Sequence, residues 1–319
     1  MCNPKSSNKF MMFFLLYNPV AVVILMVANI ILSAKGWDEN GIMQFSLIAQ
    51  DFVLFIVPMA FYLIITGKTL GEVVPMKKLS FKNAIYVIII TYLAMPTIMV
   101  ISSVTSLFVS AEVSNSFKDI MLELPWWVSV ISIAVLPSVC EEFMFRGYIL
   151  TGYKKAGFLK AALVSALFFG MMHLDLYQLP YATFAGVLFA SFVFYTGSIY
   201  SSVLAHFIIN GSQTISFLIA TNLLPKEEVE AILSETATME NMISSLYSSI
   251  ISMVISLPFL IYFIRRFVKR NRAVYIEYCT GGYVTEGLSL ESTRPKEKCF
   301  DKFFVLSIVF FIINLIIFK

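Results

Sequence analysis

Three short polar clusters interrupt otherwise apolar stretches of this chain, and their residue types are those that exchange protons or stabilise negative charge. In chain order their polar members are Glu141, Glu142, Arg146, His173, His206 and Asn210, and the aromatic Phe169 precedes His173 by four residues. The two histidines are the only ones in the chain. Ionisable groups inside a membrane are costly and usually face a bundle interior or a wet cavity. We therefore interpret the three clusters as parts of one catalytic centre.

The spacing of the first cluster predicts two different environments for its carboxylates. Glu142 and Arg146 are four residues apart, so they share a helix face and can form an ion pair. Glu141 points about 100° away from Glu142 on a helical wheel. The structural alternative is an ion pair near the membrane surface, with Arg146 reaching the interface. That alternative leaves Glu141 without a partner, and so we favour a catalytic role for Glu141.

Each histidine has a structural alternative as well. His173 follows Gly170, a residue that permits close helix packing, and His206 shares a helix face with Asn210, a pair suited to interhelical hydrogen bonds. Counting from the helix ends at about 1.5 Å per residue places Glu141, His173 and Asn210 at similar depths. Three helices with polar groups at one depth favour a shared site.

Three further residues are weaker candidates. We expect Asp51 to lie in the outer part of the second membrane segment and to approach the interface. Asp175 is expected in an external turn before Pro180. Cys140 is a conceivable nucleophile beside Glu141, but a cysteine in an apolar helix usually acts as a small hydrophobe.

The composition identifies a polytopic membrane protein. Hydrophobic residues make up 59% of the chain and charged residues 13%, with a mean hydropathy of +0.83. Ordinary soluble domains are roughly 25% charged. The sequence predicts an all-α transmembrane bundle with about 8–9 spans of roughly 20 residues. The nine candidate segments are 10–33, 45–66, 84–109, 126–149, 158–172, 181–196, 199–221, 242–264 and 303–318.

The distribution of Lys and Arg predicts the orientation. Basic residues precede the first segment, follow the second, flank the turn between the fourth and fifth, and follow the eighth. An uncleaved N-terminus in the cytosol places all of them inside, with a cytosolic loop at 265–302 that includes a small hairpin. The four cysteines form no CxxC pair, and we expect those in this loop to be reduced. The basic run 265–272 is interpreted as a topology determinant that contacts anionic lipids, and nothing indicates nucleic-acid binding.

Together the three clusters resemble the CPBP intramembrane proteases, a family that includes the type II CAAX prenyl proteases and the bacterial Abi proteins. The resemblance rests on Glu-Glu-x-x-x-Arg, Phe-x-x-x-His and His-x-x-x-Asn in this order on successive apolar segments. It divides the chain into N-terminal transmembrane helices (1–124), a catalytic core of the type II CAAX prenyl protease kind (125–222) and C-terminal transmembrane helices (223–319).

The resemblance implies a peptide bond hydrolysed within the membrane by an activated water. It makes Glu141 the general base, with His173 helping to hold the water and with His206 and Asn210 stabilising the oxyanion. Glu142, Arg146 and Phe169 would orient these groups. No cofactor is required by this interpretation. Zn²⁺ remains an alternative, and its ligands would be His173, His206 and Glu141.

The partners expected on this basis are membrane lipids and a peptide or lipidated-protein substrate, and we expect a bacterial cell membrane. Two other functions remain open: a proton-coupled transporter, and a non-catalytic scaffold or immunity protein. Carriers often contain inverted repeats, and this sequence has no evident repeat.

Overall fold

The computed structural model describes residues 3–109, 121–122, 124–223, 238–280 and 298–317, and most of these residues are helical. We number the helices in chain order. They are α1 (Pro4–Ala34), α2 (Glu39–Thr66), α3 (Leu70–Val73), α4 (Phe81–Ser106), α5 (Trp126–Ala156), α6 (Phe158–Met172), α7 (Gln178–Thr196), α8 (Ile199–Leu223), α9 (Met239–Arg270), α10 (Arg272–Thr280) and α11 (Lys302–Ile317). Among the described residues, β-type pairing is limited to one bridge between Met76 and Ser198, which confirms the all-α prediction.

Each of the nine predicted membrane segments largely coincides with a helix. Among the described residues, 7 helices are long and apolar enough to cross a membrane. The other two, α6 and α11, have 15 and 16 residues. Each of them rises only about 23 Å, whereas the hydrocarbon core is about 30 Å thick. The protein is therefore a polytopic helical bundle in which two of the predicted segments are shorter than a full span.

Helices α5 to α8 carry all three polar clusters. Short connections at 157, 173–177 and 197–198 join them, so each successive pair is antiparallel. Helices α6 and α7 approach closely at Gly170, where a Cβ atom would lie only 2.9 Å from the Leu179 carbonyl oxygen. The close helix packing expected at Gly170 is confirmed.

One end of the bundle gathers most of the basic residues, and we call it the basic end. The Ile199 amide donates to the Pro75 carbonyl at 2.7 Å, and the Asn83 carboxamide donates to Asn271 at 3.0 Å. These contacts join the starts of α8 and α4 to neighbouring helix ends. The described basic residues at this end are Lys5, Lys9, Lys68, Lys77, Lys78, Lys82, Lys154, Lys155, Lys160, Arg265, Arg266, Lys269, Arg270, Arg272, Lys298 and Lys302.

The opposite end carries all three tryptophans, and we call it the tryptophan end. Trp37, Trp126 and Trp127 are 49%, 67% and 45% exposed. A hydrogen bond of 2.6 Å between the Ser102 and Tyr177 hydroxyls joins the last turns of α4 to the start of α7 there. Exposed tryptophans commonly mark a membrane–water interface.

The first and last helices run in the same direction. The Asn8 carboxamide near the start of α1 donates to Asp301 at 2.9 Å, just before α11. Further along, the Asn314 carboxamide donates to the Leu15 carbonyl at 3.0 Å. A parallel first and last helix is what an odd number of crossings requires.

Helix α5 widens on both sides of its carboxylates. A π-helical segment, Val130–Val135, precedes Pro137, and a second one, Phe143–Ile149, follows Glu142. In a regular α-helix the ring of Pro137 would clash with the Ile133 carbonyl, four residues earlier. The π-helical turn contains one extra residue, which widens the helix there and relieves the clash. The two glutamates therefore occupy a short α-helical stretch between two wider ones.

Two expectations about the 265–302 segment are wrong in the described residues. Helix α9 continues to Arg270, so most of the basic run is helical and does not belong to a loop. Lys269 and Arg270 lie in the last turn of α9, where cations interact favourably with the helix dipole. Residues 272–280 form α10 and no hairpin. The Tyr275 ring stacks on Tyr195 of α7 at 4.9 Å, which packs α10 against the bundle. Residues 281–297 lie outside the described part of the chain.

The expectation that Asp51 approaches the interface is also wrong. Its side chain is 3% exposed, and α2 packs against the carboxylate-bearing part of α5. The Asp51 and Glu141 carboxyl groups are close enough to interact electrostatically. Hydropathy counting placed Asp51 by depth alone and did not reveal that α5 covers this face of α2.

Candidate active site

Glu141 lies in the bundle interior at the midpoint of α5. It is 8% exposed and borders a cavity, whereas Glu142 is fully buried. In the described part of the chain, Glu141 Oε2 has no hydrogen-bond partner. The helical spacing therefore separates the two carboxylates as predicted, with one facing the cavity and the other facing protein.

Glu142 and Arg146 form the predicted ion pair. Arg146 Nη1 donates to Glu142 Oε1 at 2.9 Å, and neither side chain is exposed. The guanidinium lies between two aromatic rings, 4.2 Å from the Phe169 centroid and 5.1 Å from that of Phe189. A Cβ atom at Gly186 would lie 3.0 Å from Arg146 Nη2, so the absence of a side chain there gives the arginine its space. Arg146 is thus an internal cation and does not reach the interface.

His206 is fixed by partners on both ring nitrogens. Its Nδ1 lies 3.1 Å from Glu142 Oε1, and its Nε2 lies 3.2 Å from Asn210 Nδ2. The Asn210 carboxamide also donates to the Ile133 carbonyl at 3.0 Å, and a carbonyl can only accept. The amide nitrogen therefore faces both groups, so His206 Nε2 accepts and Nδ1 carries the proton. The carboxylate of Glu142 thus selects the tautomer of His206.

Pro137 explains why the Ile133 carbonyl is available to Asn210. In an α-helix this carbonyl would accept from the amide of residue 137, but proline has no N–H. The Asn210 carboxamide of α8 donates to it instead. One proline on α5 thereby positions a polar side chain on a neighbouring helix.

His173 lies at the C-terminal end of α6 and faces the same cavity. Its Nδ1 is 3.0 Å from the Phe169 carbonyl oxygen, which can only accept, so Nδ1 carries the proton. The Phe169 ring meets the His173 and His206 rings edge-on, at centroid distances of 5.2 Å and 5.7 Å. Phe169 therefore separates the two imidazoles and orients both.

All four predicted catalytic residues line one cavity of about 380 Å³. His206 Nε2 and Glu141 Oε2 are 4.0 Å apart across it. The cavity is otherwise mainly apolar. Its lining comprises Ile98, Met121, Ile133, Glu141, Phe169, His173, Gln178, Tyr181, Ala182, Ala185, Phe189, His206, Ile209, Asn210, Gln213, Thr214 and Phe217.

Sequence reasoning missed Phe189 of α7. Its ring stacks on the His206 imidazole at 5.1 Å with an interplanar angle of 21°, and it also covers the Arg146 guanidinium. The chain contains 30 phenylalanines, and no spacing or neighbour distinguishes this one in the sequence. Gln178 and Gln213 also line the cavity and were not singled out, because each lies outside the three motifs.

The three candidate zinc ligands have suitable atoms but unsuitable spacing. Both imidazoles hold a proton on Nδ1 and present Nε2 to the cavity, as metal-binding histidines do. However, the described residues include no group of three or more His, Cys, Asp or Glu side chains arranged to hold a metal ion. The Nε2 atom of His206 already accepts from Asn210. His173, His206 and Glu141 therefore do not fit a three-ligand zinc site in this arrangement.

The chain was compared with known proteins. The family model for type II CAAX prenyl endopeptidases, Rce1-like, matches residues 123–212. Searches among curated proteins and among solved structures found no match. The matched range contains every residue of the three motifs, helices α5 to α7 and the first part of α8. Residues 123–212 are therefore similar to the Rce1-like type II CAAX prenyl endopeptidases, which is consistent with the resemblance of the three motifs to the CPBP intramembrane proteases.

Proposed function

We propose that this protein is an intramembrane endopeptidase that uses a glutamate-activated water to cleave a membrane-associated or lipidated protein. The observation that supports it most is the cavity in which Glu141, His173, His206 and Asn210 come together at mid-depth in the bundle. The family match supports the same reaction class. A largely apolar, membrane-enclosed site strengthens electrostatic interactions with the developing charge.

Glu141 and His206 are spaced to share one water molecule. Their facing atoms are 4.0 Å apart. In the assigned tautomer both are hydrogen-bond acceptors, and His206 Nε2 becomes free for the water once the Asn210 N–H that donates to it turns to the substrate. One water can donate to both at about 2.8 Å each and still direct a lone pair at a substrate carbonyl. As the water oxygen bonds to the carbonyl carbon, Glu141 takes its proton. Glu141 then gives this proton to the amide nitrogen as the C–N bond breaks.

Asn210 is proposed to donate to the oxyanion. Of the two N–H bonds of its carboxamide, the one directed at His206 Nε2 would turn to the tetrahedral oxygen, while the other keeps its hydrogen bond to the Ile133 carbonyl. The family resemblance gives His206 this role as well. Because Nδ1 of His206 donates to Glu142 and Nε2 is an acceptor that Asn210 releases on turning, we instead assign His206, together with His173, to holding the water.

Glu142 and Arg146 support the imidazole. The carboxylate accepts from Nδ1–H of His206 and would stabilise a positive charge on that ring, while the ion pair with Arg146 holds the carboxylate in place. The proposed mechanism uses no metal, and it is supported by the fact that no group of three or more His, Cys, Asp or Glu side chains among the described residues is arranged to hold one.

A cleavage assay tests the proposal. The protein is reconstituted in liposomes with a library of membrane-anchored peptides, and the products are identified by mass spectrometry. We expect Glu141→Ala, His173→Ala and His206→Ala each to abolish cleavage with the fold retained. Cys140→Ala is the matched control, since Cys140 adjoins Glu141 and has no role in the mechanism. Cleavage that survives Glu141→Ala would favour a scaffold function, and cleavage lost only in Cys140→Ala would identify a thiol protease.

A further inference from the structure

The cavity extends from Glu141 towards only one end of the bundle. Phe189 and Ile209 line it near the midpoints of α7 and α8, close to the motif residues. Its remaining walls come from Met121, the C-terminal halves of α4 and α8 and the N-terminal halves of α5 and α7. Gln178 lies in the first turn of α7, and Phe217 lies near the end of α8. Both positions are at the tryptophan end. No described residue from the basic end lines the cavity.

Polar side chains mark the outer part of this cavity. Gln213 lies one turn beyond Asn210 on α8 and is exposed, so the cavity reaches the protein surface there. In the described part of the chain, neither Gln213 nor Gln178 has a side-chain hydrogen-bond partner. The donors and acceptors of both carboxamides are therefore available, and an extended peptide offers matching groups. These two glutamines can therefore bind the backbone of an entering segment.

The two ends differ sharply in charge. Lys35 is the one basic residue at the tryptophan end among the described residues, whereas the basic end carries the sixteen lysines and arginines named above. Membrane proteins retain Lys and Arg on the cytosolic side. By this rule the basic end faces the cytosol, and the cavity opens away from it.

We infer that the active site opens to the non-cytosolic side of the membrane and that its substrates are membrane-anchored proteins whose cleaved segment lies in the outer leaflet or just outside it. That substrates are cleaved rests on the proposed function. The side of the membrane to which the cavity opens rests on the position of the cavity and on the distribution of charge. A lipidated tail in the cytosolic leaflet would meet the closed basic end. An extended segment at the outer surface would meet Gln213 and Gln178 first and then Glu141.

Cysteine labelling in membrane vesicles tests the direction of opening. The background variant replaces Cys2, Cys279 and Cys299 with serine. It retains Cys140, which is buried, and its own labelling gives the background signal. Three single variants are added: Gln213→Cys in the cavity, Leu176→Cys in the exposed turn at the tryptophan end, and Lys155→Cys at the basic end. We expect a membrane-impermeant maleimide to label Gln213→Cys and Leu176→Cys in right-side-out vesicles and Lys155→Cys only in inside-out vesicles.

Labelling of Lys155→Cys in right-side-out vesicles, with Leu176→Cys labelled only in inside-out vesicles, would overturn the assignment of the basic end to the cytosol. Labelling of Leu176→Cys without Gln213→Cys would overturn the opening of the cavity at that end. The readout does not need catalysis, so its failure is separate from a failure of the proposed function. In an active preparation, maleimide on Gln213→Cys is expected to abolish cleavage from the outside. If the labelling is as expected but unmodified protein cleaves nothing, the endopeptidase proposal is wrong and the orientation stands.

Discussion

The buried ion pair between Glu142 and Arg146 allows a quantitative prediction. Glu142→Gln keeps the shape of the side chain but removes its charge and leaves a fully buried guanidinium. The guanidinium donates to Glu142 through Nη1, and in the described part of the chain its Nε and Nη2 have no hydrogen-bond partner. Breaking a buried pair costs about 3–5 kcal/mol because an uncompensated charge remains. Glu141 also interacts electrostatically with Arg146, so we expect the lower part of that range.

Combining Glu142→Gln with Arg146→Met separates two contributions to the free energy of unfolding: the cost of leaving one buried charge unpaired and the net stabilisation by the ion pair. Arg146→Met fills a similar volume without charge, and neutral replacement of a buried pair is often tolerated or stabilising. We therefore expect Glu142→Gln with Arg146→Met to recover most of the free energy of unfolding lost in each single variant. Cleavage should stay below that of the wild type, because the neutral amide cannot stabilise charge on His206.

The free energy of unfolding is measured in detergent micelles by titration with a denaturing detergent, with tryptophan fluorescence as the signal. Peptide cleavage is followed in parallel on the same preparations. The reasoning is refuted if both single variants remain within about 1 kcal/mol of the wild type, well below the cost of a broken buried pair. It is equally refuted if the losses of the two single variants simply add in the double variant, since residues in one ion pair must couple.

Three further predictions concern single groups. Asn210→Ala should lower kcat by about 10²–10³ with little change in KM, the loss found for one oxyanion donor; an unchanged kcat in steady-state assays would remove Asn210 from the mechanism. Activity in proteoliposomes should survive dialysis against a zinc chelator, and loss that is restored by Zn²⁺ alone would contradict the metal-free mechanism. Burial raises the pKa of the Cys279 thiol, so less thiolate is present at neutral pH. Alkylation of Cys279 at pH 7 should therefore be slower in the folded protein than in denaturant, and equal rates would place this cysteine in solvent.

The geometry within each motif was predictable because it depends only on helical periodicity. Residues four apart share a face, and this rule led to the Glu142–Arg146 pair and to the His206–Asn210 contact, both of which the structure contains. Hydropathy located the helices for a similarly local reason. Both signals are read from a few consecutive turns of one helix.

Features that depend on neighbouring helices were not predictable. Phe189 reaches the site only because Gly186 lets α7 approach Arg146, and one phenylalanine among many apolar residues carries no signal. Pro137 lies on α5, yet its effect is on Asn210 of α8. Asp51 is buried because α5 covers it. In each case the deciding contact joins residues distant in the chain, which periodicity along one helix does not report.

The central claim is that Glu141 activates the water that cleaves the peptide bond. Its most direct test is kcat for Glu141→Gln, a variant that keeps the size of the side chain but cannot accept the proton. We expect kcat to fall by at least about 10²-fold, the lower range for loss of general-base catalysis, with the melting temperature in micelles unchanged. A Glu141→Gln protein that folds and still cleaves at the wild-type rate would contradict the account.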